Sequence, residues 1–370
     1  MHFWHTQPVF HIYNLKYWLK PPGFITLDPP PSNKFVNLIN NQLLTLEANP
    51  IKIKQICNFI RDYYVMHKTA TYRPTESDIL AYLEGGNHPS FFNVYQEPRL
   101  LFDPAPILSE EIMGVASARV LTVAFQQKKI VFPAYYVDHL CVKPEYRKKG
   151  LPPQMIQTFY YNVARTNPKV QAYMFKREGQ LTAIVPLVYF STYGFDLTHF
   201  RPDTLLTAVF QVIPIGGAQM NLFIQFLSDQ KPQFDCVVLP DVASVLHLLK
   251  LEKLLIYAII FNGQLHAAYV FRPLALAYGP KKTVECIAII KTADCTADFL
   301  SAGFNVALQI IRAKTAAEIL LIEETAHSPP VIAALLKNPT AKSLFKNPTA
   351  FFLYNYACYS VKHSQTLLIY

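Results

Sequence analysis

The chain has 370 residues, 51% hydrophobic and only 16% charged, with a net charge of +9. That apolar content can bury the core of two domains or of one large two-lobed unit, and it excludes a disordered chain. No basic stripe with interleaved aromatics appears, so nucleic acid is not the expected partner. The charge suits a smaller polyanion, or a basic surface that also approaches anionic membranes.

In chain order, residues 1–20 carry aromatic anchors and read as a segment laid over the body. Lys20 to Asn33 is a Pro-rich connector. Apolar spacings of three and four predict helices over 35–46 and 51–65. Thr75 followed by Asp78 is a capping-box pattern opening a short helix to Leu83. Residues 112–123 and 130–142 read as long hairpin strands around the polar link Gln126-Gln127-Lys128-Lys129. A helix over 153–164 and strands over 172–175 and 184–190 follow. Beyond Asp196 the pattern partly repeats. Helices are expected over 242–251, 299–313, 330–336 and 340–345, and strands over 254–261, 265–271, 284–290, 319–322, 351–356 and 367–370. Asn262-Gly263 is a strong hairpin signal. Lys337-Asn338-Pro339-Thr340 and Lys346-Asn347-Pro348-Thr349 read as two similar turns.

The six cysteines show no C-x-x-C pair, which reads as reduced thiols in an intracellular chain. Cys141 follows apolar residues in a strand and reads as a buried small side chain. The eleven histidines make no metal-ligand spacing, and no metal is expected. There is no signal-peptide pattern, and the longest clean apolar run, 254–261, is far below the ~20 residues that span a bilayer. The expected location is the cytoplasm, with no transmembrane segment and a monomeric state.

The run from Val137 to Pro153 carries the most chemical information. It reads as a strand, a turn rich in backbone N–H groups and positive charge, and the start of a helix. Such a turn is a ready site for phosphate. Its Arg147-x-x-Gly150-x-Pro152 spacing resembles the pyrophosphate turn of acyl-CoA N-acyltransferases of the GNAT fold.

Within that fold the segment is similar to glycylpeptide N-tetradecanoyltransferases, the N-myristoyltransferase family, whose members carry N-F-L-C-V-H-K-x-L-R-S-K-R-[LV]-[AT]-P. It lies on this pattern without a gap from Asp138 to Pro153. Leu140, Cys141, Val142, Arg147, Lys149, Leu151 and Pro153 fit; His139 stands where the family has Phe, Lys143 where it has His, and Gly150 where it has Arg. Phe3-Trp4-His5-Thr6-Gln7-Pro8-Val9 resembles F-W-x-T-Q-P-V. Asp62-Tyr63-Tyr64-Val65, with Tyr72, Thr75 and Ile79 to Leu83, resembles N-Y-V…Y-S-x-x-F-L-x-W-x-L. Phe352 to Cys358 resembles Y-L-Y-N-W-x-C.

The resemblance implies an α/β (α+β) fold of two GNAT-like halves related by a pseudo-twofold, 1–195 for acyl-CoA and 196–370 for peptide and the C-terminal base. It implies transfer of a tetradecanoyl group from myristoyl-CoA, a co-substrate, to the N-terminal glycine amine of proteins, with no prosthetic group. The backbone N–H groups of His139 and Leu140 would hold the thioester oxyanion, and the terminal carboxylate of Tyr370 would take the ammonium proton. CoA would meet His2, Phe3, Trp4, Leu140, Cys141, Val142, Arg147, Lys148, Lys149, Gly150, Leu151 and Pro152; Pro152 shapes the turn but has no N–H to donate. The apolar ending Leu367-Leu368-Ile369-Tyr370 suits a terminus tucked into the core.

The peptide side departs from the family. Its acidic loop is replaced by Met66-His67-Lys68-Thr69-Ala70. Its Y-T-A/G becomes Met174-Phe175-Lys176, its Y-W-H-R becomes Tyr189-Phe190-Ser191-Thr192, and its Gly-rich loop becomes Lys346 to Thr349. An enzyme with a narrow set of glycyl substrates, such as a virus that lipidates its own proteins would need, is one expectation. A non-catalytic binder of acyl-CoA or lipidated peptide is a second. A GNAT acyltransferase with another acyl chain or amine is a third.

Overall fold

A computed structural model describes residues 3–65, 70–102, 106–179, 182–202 and 210–370. His2 and Met66 to Thr69, which the sequence places at the CoA and peptide sites, lie outside these residues. Eight α-helices among the described residues pack on one 15-stranded mixed sheet.

The N-terminal segment forms a short helix α1 (Leu15–Leu19) and a strand β1 (Gly23–Phe24). The helix expected over 35–46 is instead a turn followed by β2 (Asn41–Thr45). The Asn37 carboxamide accepts the N–H groups of Ile39 and Asn40, which holds the chain in a turn. The apolar residues beyond it then pair with β4 (Phe91–Phe102), a strand that left no clear signal in the sequence.

Helix α2 (Pro50–Tyr63) buries Ile53, Ile56, Cys57, Phe59 and Ile60 on one face, and the Asn49 side chain caps it at the Ile51 N–H. After β3 (Thr71–Tyr72), α3 (Glu76–Leu80) opens with the expected capping box of Thr75 and Asp78. The long hairpin is β5 (Pro106–Phe125) and β6 (Ile130–Val142).

A helix, α4 (Leu151–Thr166), then carries the chain across to β7 (Ala172–Glu178), which runs parallel to β6, as a parallel pair requires. Strand β8 (Val188–Asp196) starts later than expected, because Pro186 has no N–H for a ladder; Ile184 makes only an isolated bridge to His11.

The second half begins with β9 (Gln211–Pro214), α5 (Met220–Gln230) and β10 (Cys236–Leu239), none of them anticipated. Helix α6 (Val242–Lys250) leads to the hairpin β11 (Leu255–Phe261) and β12 (Gln264–Tyr278). Asn262 and Gly263 both take positive φ there, as the tight turn requires. Strand β13 (Lys281–Lys291), helix α7 (Ala297–Thr315) and parallel strand β14 (Ala317–Glu323) repeat the strand–helix–strand unit.

Helix α8 (Pro329–Lys337) is followed by β15 (Lys342–Tyr354), not by the helix expected over 340–345. The Asn338 side chain accepts the Thr340 N–H and turns the chain out of α8. The second expected turn, Lys346 to Thr349, is also strand. Pro348 pairs opposite Ser191 where β7 comes to its end. Strands β16 (Tyr356–Ala357) and β17 (Thr366–Leu368) close the chain.

The sheet order is β17-β10-β5-β6-β7-β15-β8-β14-β13-β12-β11-β9, with β4 and β2 branching from β5 and β3 added to β12. One core cluster packs α5, α6 and the chain end against this sheet, and others lie under α7, α4 and α2.

Stability will depend on pH through His327. Its Nδ1 accepts the Lys291 N–H, and its ring lies 5.1 Å from Phe234. Burial, with Lys291 nearby, pushes it down to about 4. The folded value is below the unfolded one, so its contribution is full above pH ~6.5 and is lost as pH falls toward 4, on the order of 3 kcal/mol at most. Urea unfolding across this range should show that slope, and His327→Asn should flatten it.

Candidate active site

Strands β6 and β7 pair only over Ala134↔Ala172, Tyr135↔Tyr173 and Tyr136↔Met174. Beyond that point the two parallel strands separate. A cavity of about 320 Å³ opens in the gap, within the range of small-molecule sites. Trp4, Phe159, Tyr160, Tyr173, Phe175 and Tyr354 give it apolar walls, while Asp138, His139, Lys176 and Arg177 line it with polar groups.

A β-bulge sits at the mouth. Val115 pairs with Cys141 and Ser117 with Asp138, so Ala116 faces both His139 and Leu140. His139 takes the left-handed conformation, φ 53°, which turns its N–H off the regular ladder. The Asp138 Oδ1 accepts that N–H at 2.7 Å and a bond from the Tyr64 hydroxyl at 2.6 Å. Burial would raise the Asp138 carboxyl. His139, the Tyr64 hydrogen bond and Arg119 outweigh it and hold it at about 2, so it is ionised.

The His139 ring is buried, edge-on to Tyr64 at 5.0 Å, with Nδ1 2.7 Å from Ser117 Oγ. Burial lowers it more than Asp138 raises it, which favours neutral imidazole.

The C-terminus is buried on the other face of the sheet. Tyr370 is 3% exposed, with Phe351 and Tyr136 edge-on at 5.0 and 5.5 Å. Its hydroxyl donates to Glu323 at 2.6 Å and accepts from Lys176 at 2.9 Å and Arg272 at 3.1 Å. Lys176 pairs with Glu323 at 2.8 Å, and Arg272 with Glu285 at 2.7 Å. Arg272 Nη1 also lies 3.5 Å from the backbone oxygen of Tyr370 at the chain end.

Burial works to raise Glu285, but Arg272 and Lys176 hold it below the usual carboxylate range. Burial raises Glu323, whose second oxygen has no hydrogen-bond partner. Arg119 lies between the rings of Tyr82 and Tyr136, 4.9 and 5.1 Å from their centres.

The expected site residues separate into groups. His139, Leu140 and Trp4 line the cavity, and Phe3 packs behind Trp4 at 5.2 Å. Cys141 and Val142 point away into packed clusters. Burial pushes the Cys141 thiol up to about 12, which removes it as a nucleophile.

Arg147, Lys148 and Lys149 are exposed, and Lys148 and Gly150 take positive φ in the turn that starts α4 at Leu151. Two motifs far apart in sequence also meet: the Tyr354 hydroxyl donates to Gln7 at 2.6 Å.

Sequence reasoning missed Asp138, Arg119, Arg272, Glu285 and Glu323. Asp138 had a signal, since it stands at the Asn that opens the family segment. The others come from separate strands and had none.

The fold is mixed α/β and GNAT-like, the fold of N-myristoyltransferases. No protein-family model matches the chain, and no curated protein does. Saccharomyces cerevisiae N-myristoyltransferase with bound myristoyl-CoA aligns over 97% of this chain and 93% of that chain, with TM-score 0.69 and 13% identity. A structure of the same enzyme with myristoyl-CoA and inhibitors aligns over 97% and 90%, with TM-score 0.71 and 12% identity. At such identity the likeness is one of fold.

Proposed function

We propose that the protein transfers the acyl group of an acyl-CoA, with myristoyl-CoA as the reference substrate, to the N-terminal glycine amine of acceptor proteins. The carrying observation is the apolar cavity that opens where β6 and β7 part, with the His139 bulge at its mouth. The acyl chain lies in that cavity against Trp4 and Phe175. The CoA phosphates lie at the turn before α4. The Arg147 and Lys149 amides already bond to Pro144 and Tyr146 carbonyls, so the amides of Lys148, Gly150 and Leu151 meet the anion, with the three basic side chains around it. The division into an acyl-CoA half, 1–195, and a peptide half, 196–370, belongs to this reading, as does action in the cytoplasm.

The glycine ammonium enters near Asp138 and the chain end. Around Tyr370, Lys176 and Arg272 face Glu285, Glu323 and the terminal carboxylate. With Asp138 and Arg119 included, four acids face three bases, and an arriving cation relieves that excess. The terminal carboxylate accepts the proton. The amine nitrogen then attacks the thioester carbon, and the amide forms as CoA thiolate leaves and is protonated. The His139 and Leu140 amides stabilise the oxyanion once Asp138 swings from the His139 N–H to the ammonium.

A second reading is favoured by that same Asp138 contact. A carboxylate seated on the oxyanion donor opposes negative charge there, which suits a protein that holds acyl-CoA without turnover.

Asp138→Asn tests the role given to Asp138 in the first reading; the absence of any acylated product would favour the second. The Asp138 charge favours ammonium in the bound complex and disfavours the oxyanion. The substitution should raise KM for a glycyl peptide at least ~10-fold without lowering kcat. A lower kcat at unchanged KM would make Asp138 the base and contradict the assignment to Tyr370. Binding is tested separately by titration: myristoyl-CoA should bind far more tightly than CoA, and Trp4→Ala should reduce that difference.

A further inference from the structure

The N-terminal segment exposes apolar side chains that its fold does not use. Leu15 and Leu19 stand one turn apart on α1, 75% and 85% exposed. Ile12 is 56% exposed, Trp18 42% and Tyr359 41%. Single exposed apolar residues are ordinary, but a contiguous group on one short segment marks an interaction surface.

The segment is held in place. Tyr17 turns inward onto Phe10 at 5.6 Å, Trp18 Nε1 donates to the Ile12 carbonyl at 2.7 Å, and the Tyr359 hydroxyl donates to the Trp18 carbonyl at 2.7 Å. The Ile12 N–H bonds to Ala183 O, and Ser360 Oγ to Pro186 O, which ties three stretches of chain into one face. Those stretches, 12–20, 183–186 and 355–363, contain Lys16, Lys20 and Lys362 and no Asp or Glu.

We infer that this face docks the protein on an anionic lipid bilayer, with Leu15 and Leu19 inserted, Trp18 and Tyr359 at the headgroup level and the lysines against lipid phosphates. The charge selects this occupant: basic residues without a carboxylate among them complement anionic headgroups. The two leucines stand largely in solvent, which suits insertion into a fluid surface. Aromatic rings with a polar edge favour the same depth. Neither leucine lines the acyl cavity, so the inference stands independently of the proposed chemistry.

The test is co-sedimentation of the full chain with vesicles of phosphatidylcholine alone or with about 30% phosphatidylserine, at about 0.1 M salt. Binding is expected to the mixed vesicles, with a blue shift of Trp emission that Trp18→Phe removes. Leu15→Asp with Leu19→Asp should weaken binding at least ~10-fold at unchanged thermal unfolding. Lys16→Glu with Lys20→Glu should weaken it in a salt-dependent way. Wild-type protein left in the supernatant would overturn the inference and turn the face toward a protein partner. Equal binding by the double leucine variant would overturn it as well.

Discussion

Extending the chain by one glycine beyond Tyr370 will reduce glycine-dependent acyl transfer by ~10²–10⁴-fold and leave acyl-CoA binding in place. The extension keeps the tyrosine ring, which is buried against Phe351 and Tyr136. It moves only the carboxylate, by up to one residue length of ~3.5 Å. Proton transfer does not survive such a displacement, because the acceptor must lie within hydrogen-bond reach. Deleting Tyr370 would confound the result, since emptying a buried aromatic site costs about 3–5 kcal/mol by itself. Tyr370→Phe is the companion variant. It keeps the carboxylate but removes the hydroxyl that Glu323, Lys176 and Arg272 share. Its expected effect is about 1–3 kcal/mol of stability with most activity retained. Single-turnover transfer with pre-bound acyl-CoA would measure both variants without interference from binding.

Lys176→Met will destabilise the fold by about 3–5 kcal/mol, because it strips the cation from buried carboxylates. Lys176 lies 2.8 Å from Glu323 and 3.7 Å from Glu285, and both glutamates are almost fully buried. Burial already raises Glu323, and Lys176 and the Tyr370 hydroxyl oppose this by direct contact. Removing the Glu323 charge as well should restore much of the loss. Lys176→Met with Glu323→Gln should therefore be more stable than Lys176→Met alone, as urea unfolding of the four-member cycle would show. Equal loss in the single and double variants would mean that Lys176 acts by packing, not by charge.

Local features were the legible part of this fold. The Asn262-Gly263 turn, the Thr75–Asp78 capping box and the hairpin of β5 and β6 follow from chemistry within a few residues of each other, and the structure has all three. The buried ending was legible too, since four large apolar residues in succession suit the core better than water. Elements that depend on distant partners were not. The apolar spacing over 35–46 fits a helix, and pairing with β4 overrides it. The strand expected from Phe351 is present, but its first half, from Lys342, hides behind Asn347-Pro348, a pair that normally marks a turn.

In the site, the basic turn before α4 and the His139 bulge lie within one continuous motif. The ionic cluster of Lys176, Arg272, Glu285, Glu323 and Tyr370 comes from strands β7, β12, β13 and β14 and the chain end, which only sheet order brings together. Asp138 shows a different limit. Its identity was plain, but its occupation of the His139 N–H depends on the backbone geometry of the bulge.

The most direct test is mass spectrometry of a glycyl-peptide library incubated with the purified protein and myristoyl-CoA, with shorter and longer acyl-CoAs alongside and glycine→alanine peptides as controls. The account predicts a tetradecanoyl adduct on the glycine amine, absent from the alanine peptides and lost in the glycine-extended variant. Tight myristoyl-CoA binding with no adduct on any peptide would contradict it and establish an acyl-CoA-binding protein on an acyltransferase fold.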